Sequence, residues 1–118
     1  MRDNILVGKT GEQFAEDLLL KKEYTIIGKN VRTWFGEIDI IAQKLNCYYF
    51  IEVKTRIGDL KGKPYENITR SKKGHMLRSA QSYILENKLS HFKHSLDVIS
   101  IILDHKLQIV EIHHYQRI

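Results

Sequence analysis

The sequence predicts an α/β domain in which a mixed β-sheet is flanked by helices, in the order helix, three or four strands, helix, two strands. Three observations carry this expectation. Residues 24 to 54 hold a series of short apolar runs rich in β-branched and aromatic side chains. Stretches with apolar residues at three-to-four spacing stand on either side of that series, and two further apolar runs follow the second stretch. The 118 residues read as one domain spanning 1–118, with 42% hydrophobic against 28% charged residues, enough to bury a core.

The apolar stretch at Ile5-Leu6-Val7 is too short for a signal peptide and no run approaches transmembrane length, so the sequence predicts a cytoplasmic protein with no membrane partner. Thr10 to Lys22 reads as a helix. Phe14, Ala15, Leu18 and Leu19 share one face, Thr10 with Gln13 forms a capping pattern, and Glu12 falls in the first turn. Tyr24–Ile27 and Val31–Trp34 read as two short strands separated by Gly28-Lys29-Asn30. Glu37–Ala42 and Cys47–Lys54 are the next two strands. Gly58–Tyr65, with two glycines and the only proline, reads as a loop and a candidate mobile element over a substrate. A second helix is expected from about Thr69 to Lys88, with Met76, Leu77, Ala80, Tyr83, Ile84 and Leu85 toward the core. After a turn over His91–Ser95 come strands Leu96–Leu103 and Leu107–Tyr115, joined through Asp104-His105-Lys106.

The chemistry concentrates in Asp39, Glu52 and Lys54, spaced D-x12-E-x-K across two strands. Side chains alternate along a strand, so Glu37 and Asp39 share a face of one and Glu52 and Lys54 a face of the other. With only Leu45 and Asn46 in the turn, paired positions sum to 91, which sets Asp39 opposite Glu52 and Glu37 opposite Lys54. A four-residue loop from Gln43 to Asn46 keeps the same parity and sets the two acids diagonally. Mg²⁺ takes one or two carboxylates plus phosphate oxygens and waters, a role that suits Asp39 and Glu52, with the carbonyl of Val53 as a further ligand. Lys54 would orient the attacking water or offset charge growing on phosphorus. A solvated face with a Glu37–Lys54 ion pair is the competing reading. Against it, residues 47 to 51 are apolar on both faces, as in a covered central strand, so charges at 52 and 54 need an explanation.

Nineteen Lys and Arg against fourteen Asp and Glu give a net charge of +5, which favours a polyanionic partner. Lys54, Arg56, Lys61, Lys63, Arg70, Lys72, Lys73 and Arg78 form a basic window opposed only by Asp59 and Glu66. The single cysteine, Cys47, excludes an internal disulfide and a Cys-rich zinc site and reads as core packing.

Gly8-Lys9-x-Gly11-Glu12 with Ala15 and Leu18, Asn30, Gly36-Glu37-Ile38-Asp39-Ile40-Ile41, and Phe50-Ile51-Glu52-Val53-Lys54-Thr55-Arg56 resemble the small bacterial YraN-type proteins. The likeness continues through Gly62-x-Pro64, Lys72, Ala80, Tyr83 and Leu96-Asp97-Val98-Ile99. That family is grouped with the PD-(D/E)xK nucleases of restriction-endonuclease-like fold and is similar to archaeal Holliday-junction resolvases. The resemblance implies a core of α-β-β-β-α-β order with an additional C-terminal strand. It implies an endonuclease using Mg²⁺ (or Mn²⁺) on DNA, branched or structured, and a homodimer by likeness to the resolvases. Carried over residue by residue, Asp39 and Glu52 are metal ligands, Lys54 is the catalytic lysine and Glu12 completes the acidic cluster. Ile38 stands where the name-giving proline would be. Related nucleases use a polar residue on the second helix, which makes Gln81 and Tyr83 candidates, Gln81 reading as surface and Tyr83 as core. Arg56, Lys72, Lys73 and Arg78 are the candidate phosphate contacts.

Other features read as structural. His91, His94, His113 and His114 lack a third ligand or a shared face, and Asp97 opens a strand, where a hydrogen bond to a turn is its ordinary use. Trp34 and Phe35 could stack on an exposed base, although an aromatic beside a sheet is usually core or a dimer contact. The rival to an enzyme is a nucleic-acid adaptor that keeps the fold while Asp39 and Glu52 support structure.

Overall fold

The computed structural model describes residues 4–58 and 69–118. Helix α1 (Asn4–Lys21) leads into strands β1 (Thr25–Thr33), β2 (Gly36–Lys44) and β3 (Cys47–Ile57). Helix α2 (Arg70–Glu86) and strands β4 (Lys93–Leu103) and β5 (Ile109–Tyr115) follow. The five strands lie side by side in chain order; β3 and β4 are parallel and every other pair is antiparallel, which makes the sheet mixed. This is the α-β-β-β-α-β order with an added C-terminal strand that the resemblance implies.

Each helix covers one face. Val7, Ala15 and Leu19 of α1 pack with Ile40, Ala42, Ile51, Ile99, Ile101 and Leu103, whereas Ala80, Tyr83 and Ile84 of α2 pack with Ile38, Ile41 and Phe50. Between two helical layers, β4 is buried continuously from Asp97 to Leu103.

Several boundaries differ from the sequence expectation for physical reasons. Helix α1 starts at Asn4, so Thr10 is not a cap and Glu12 lies well inside the helix. Its buried stripe is Val7, Gly11, Ala15 and Leu19, and a glycine within the stripe hides the periodicity. A Cβ on Gly11 would lie 1.8 Å from Thr55 Oγ1, so this glycine is what lets α1 press onto β3.

The two short strands expected before residue 35 are one strand. Pairing with β2 carries β1 through Gly28-Lys29-Asn30 by a bulge at Ile27 and a left-handed Asn30 (φ 49°). On α2, Leu77 and Leu85 face solvent rather than the core. The helix is capped by Thr69, whose side chain accepts from Lys72 N–H at 3.1 Å. Strand β4 begins inside the expected His91–Ser95 turn, and Cys47 is only half-buried. The Gly58–Tyr65 loop falls, after Gly58, outside the described residues, as do Lys61 and Lys63 of the basic window. No described helix is long and apolar enough to cross a membrane.

Candidate active site

The hairpin joining β2 to β3 uses the two-residue turn Leu45-Asn46, with Leu45 at φ 56°, and its pairs run from Lys44↔Cys47 to Ile40↔Ile51. There the pairing stops. Asp39 and Glu52, next in register, do not pair across one face; the Asp39 carboxylate instead enters the opening between the strands, where its Oδ2 accepts the Val53 backbone N–H at 2.8 Å. The cause is a slip in alternation. Ile38 and Ile41 both pack toward α2 and Ile40 and Ala42 toward α1, so one strand position around Asp39 is out of phase. Asp39 therefore comes beside Glu52 through Val53, and not as its partner across one face as strict alternation predicts.

Val53 is where β3 loses its β2 partner. The N–H and C=O of one strand residue point to the same neighbour, so the Val53 carbonyl opens into the same gap as the N–H that Asp39 takes. Glu52 turns to the α2 side, where Lys72 Nζ stands 3.4 Å from its Oε2. Glu37, Glu52, Met76 and Ser79 line a cavity there of about 20 Å³, far below the size of a ligand pocket, so a substrate would lie over the site rather than inside it. Lys54, half-buried, stands two residues beyond Glu52 on β3 and opposite Ser100 of β4. The Glu37–Lys54 ion pair of the competing reading does not form; Glu37 accepts from Asn30 instead.

Asn30 is the hinge of the remaining acids. Its Nδ2 lies 3.2 Å from Glu12 Oε1 and 3.4 Å from Glu37 Oε1, tying α1 to β2 across β1. Burial, and then the charge of Glu52, push the Asp39 carboxyl up to about 7; the Val53 N–H opposes the rise, and Glu12 and Glu37 add to it.

Two carboxylates and a carbonyl are an all-oxygen donor set, and a dication beside them removes the repulsion that Asp39 carries. These residues fit a hard divalent cation. Among the described residues no three His, Cys, Asp or Glu side chains are grouped closely enough to hold a metal by themselves. Glu12 stands at one remove, engaged with Asn30.

Comparison with known proteins adds the lineage. A family described as "Uncharacterised protein family UPF0102" matches residues 11–101. A UPF0102 protein of Clostridium acetobutylicum is 40% identical over 105 residues, covering 89% of this chain and 86% of its own. One of Clostridium tetani is 40% identical over 101 residues (86% and 83%), and one of Chloroherpeton thalassium 39% over 104 (88% and 81%). The chain belongs to the UPF0102 family. The span matched in this UPF0102 chain holds Glu12, Asn30, Asp39, Glu52 and Lys54, and stops before β5.

The basic residues fall in two places. Lys72 and Lys73 open α2 beside Glu52, and Arg56 lies exposed toward the end of β3. Arg78 and Gln81, further along α2, line an open groove of about 600 Å³ with Phe35 and Leu85. Sequence reasoning gave Asn30 and Glu37 no role in the site. Their bonds depend on the left-handed backbone at Asn30, for which a Gly-Lys-Asn stretch is only a weak signal. Asp97 is a hydrogen-bonded structural residue, as expected, but it lies in the body of β4 rather than at its start, buried against Ser95 and His114.

Proposed function

We propose that this UPF0102 chain is a metal-dependent endonuclease that hydrolyses phosphodiester bonds in DNA, with a preference for branched or otherwise structured DNA. The observation that supports the reading is the Asp39 carboxylate, drawn into the opening between β2 and β3, held by one N–H and set against Glu52. Asp39, Glu52 and the Val53 carbonyl would hold Mg²⁺ (or Mn²⁺), which when bound polarises the scissile phosphate and lowers the pKa of a water.

Lys54 orients that water and offsets the charge that grows on phosphorus as the new P–O bond forms and the bond to the leaving sugar oxygen breaks. Glu12, through Asn30, keeps Glu37 and the first helix in place around the acids. Arg56, Lys72, Lys73, Arg78 and Gln81 bind the backbone with little sequence preference, so affinity falls steeply with salt. Two copies acting together would cut two strands, and the substrate would be met in the cytoplasm.

A nucleic-acid adaptor is the second reading, and one observation favours it: Lys72 already supplies a cation to Glu52. Cleavage of labelled linear, flapped and four-way DNA with Mg²⁺ or Mn²⁺, against EDTA, Asp39→Asn and Lys54→Ala, separates the two. Metal-dependent products lost in both variants support the enzyme. Intact DNA that is still bound by folded protein supports the adaptor.

A further inference from the structure

The two-residue turn between β1 and β2 is, among the described residues, the most exposed aromatic point. Thr33 pairs with Gly36 at the end of the β1–β2 ladder, leaving Trp34 and Phe35 as the two turn residues. Thr33 Oγ1 accepts the Phe35 N–H at 3.2 Å and donates to the Gly36 carbonyl at 2.7 Å, and Gly36 has φ 140°, a backbone state that suits glycine. This turn is fixed by its own hydrogen bonds, yet Trp34 is 89% exposed and Phe35 51%. An indole in water stabilises nothing in the fold, so of the two ordinary places for it, core and dimer contact, the core is not where it lies.

Its neighbours are cationic. Arg32, exposed, stands two residues before Trp34 and pairs across the ladder with Glu37; Arg78 reaches the groove that Phe35 lines. We infer that the β1–β2 hairpin tip is a base-stacking element, in which Trp34, with Phe35 beside it, takes an unpaired base of the nucleic-acid substrate while Arg32 and Arg78 hold flanking phosphates. The inference rests on the nucleic-acid reading above and deepens it by naming the substrate class: DNA that offers an unstacked base next to a duplex. A flat apolar face would suit a protein partner; a projecting ring with Arg32 two residues before it and Arg78 in the groove that Phe35 lines suits a base flanked by phosphates. Asp39 lies three residues into β2 from the Thr33–Gly36 pair that closes the tip, about 10 Å along the strand, which corresponds to about three stacked nucleotides between the tip and the cut.

Trp34 is the only tryptophan, so its emission reports directly on the tip. Wild-type protein in EDTA is titrated with single-stranded, flapped and blunt duplex DNA while anisotropy of the labelled DNA reports binding. Quenching by more than half with single-stranded and flapped DNA, and by less than a tenth with bound blunt duplex, is the expected result. Trp34→Ala should weaken flapped DNA about tenfold and blunt duplex less than twofold, with Trp34→Phe recovering most of the loss. Binding of all three DNAs with unchanged emission, or equal losses on all in Trp34→Ala, overturns the stacking role and leaves the nucleic-acid reading standing. Emission that follows protein concentration alone, with a dimer in sedimentation, makes the tip a contact between copies and also overturns it. Absence of any DNA binding at low salt overturns both.

Discussion

Asp39 and Asp97 sit on strands of the same sheet, two strands apart in order, and the contrast between them is one of hydrogen-bond supply. Asp97 is fully buried but well supplied: Ser95 Oγ donates at 2.5 Å, His114 Nε2 lies at 2.7 Å, and the Arg117 N–H donates at 3.3 Å. It fastens β5 and the chain end to β4. Asp39 has one N–H donor and is raised to about 7 by burial and by the three glutamates around it. One buried carboxylate has a full set of partners and the other is short of positive charge, which is why the proposed function places the metal at Asp39 and not at Asp97.

The largest effect expected from this contrast is on turnover. Asp39→Asn should lower metal-dependent DNA cleavage at least about a thousandfold, the scale of losing a group that stabilises the transition state electrostatically, while DNA affinity measured by anisotropy changes less than threefold. Equal cleavage by the variant would end the enzymatic reading of this carboxylate. Asp97→Ala should do the reverse. It strands the donors of Ser95, His114 and Arg117, at a cost of about 3–5 kcal/mol, so Tm falls by more than about 10 °C. A stable Asp97→Ala protein would mean that the buried cluster is not what holds β5.

The pH dependence sharpens the comparison. Asp39 has a folded pKa raised above the unfolded value, so its contribution to stability is complete below the ordinary carboxylate range and is lost as pH rises to about 7. Relative to Asp39→Asn, the wild-type protein should lose about 2–4 kcal/mol between pH 4 and pH 8, read from Tm across that range. Mg²⁺ or Mn²⁺ at pH 8 should return part of that loss to the wild-type protein and none to the variant, because only a carboxylate pair gains from the dication. A metal-induced rise in Tm that persists in Asp39→Asn would move the cation elsewhere.

How much of this could be read before the structure follows from how local each feature is. That the two strands form an in-phase hairpin is legible from parity, which is the same for a two-residue and a four-residue loop and leaves both open; the structure takes the two-residue turn, with pairs from Lys44↔Cys47 to Ile40↔Ile51. The layering was readable for the same reason, as a change from alternating to helical spacing. The phase slip around Asp39 was not, since no residue type marks it and only packing of Ile38 and Ile40 on opposite helices reveals it. Gly11 interrupts the apolar stripe of α1 and hides its first turns, and pairing with β2 overrides the turn preference of Gly28-Lys29-Asn30 within β1. The Asp97–His114 contact spans 17 residues and two strands, beyond what spacing in one strand conveys.

The smallest effect expected lies at Asn30, and it tests whether the acids act as one cluster. Asn30→Gly keeps the left-handed backbone without strain but removes the amide that joins Glu12 to Glu37. The lost bonds are exposed, so stability should change by less than about 1 kcal/mol. Cleavage, in contrast, should fall about tenfold through kcat with DNA affinity unchanged, because the first helix would no longer be anchored to the strand that carries Asp39. An activity loss matched by Glu12→Gln, with no further loss in the double variant, would show that Asn30 works through Glu12. Independent losses would show that Asn30 serves Glu37 and β2 instead, and that the first helix contributes packing through Gly11 rather than charge through Glu12.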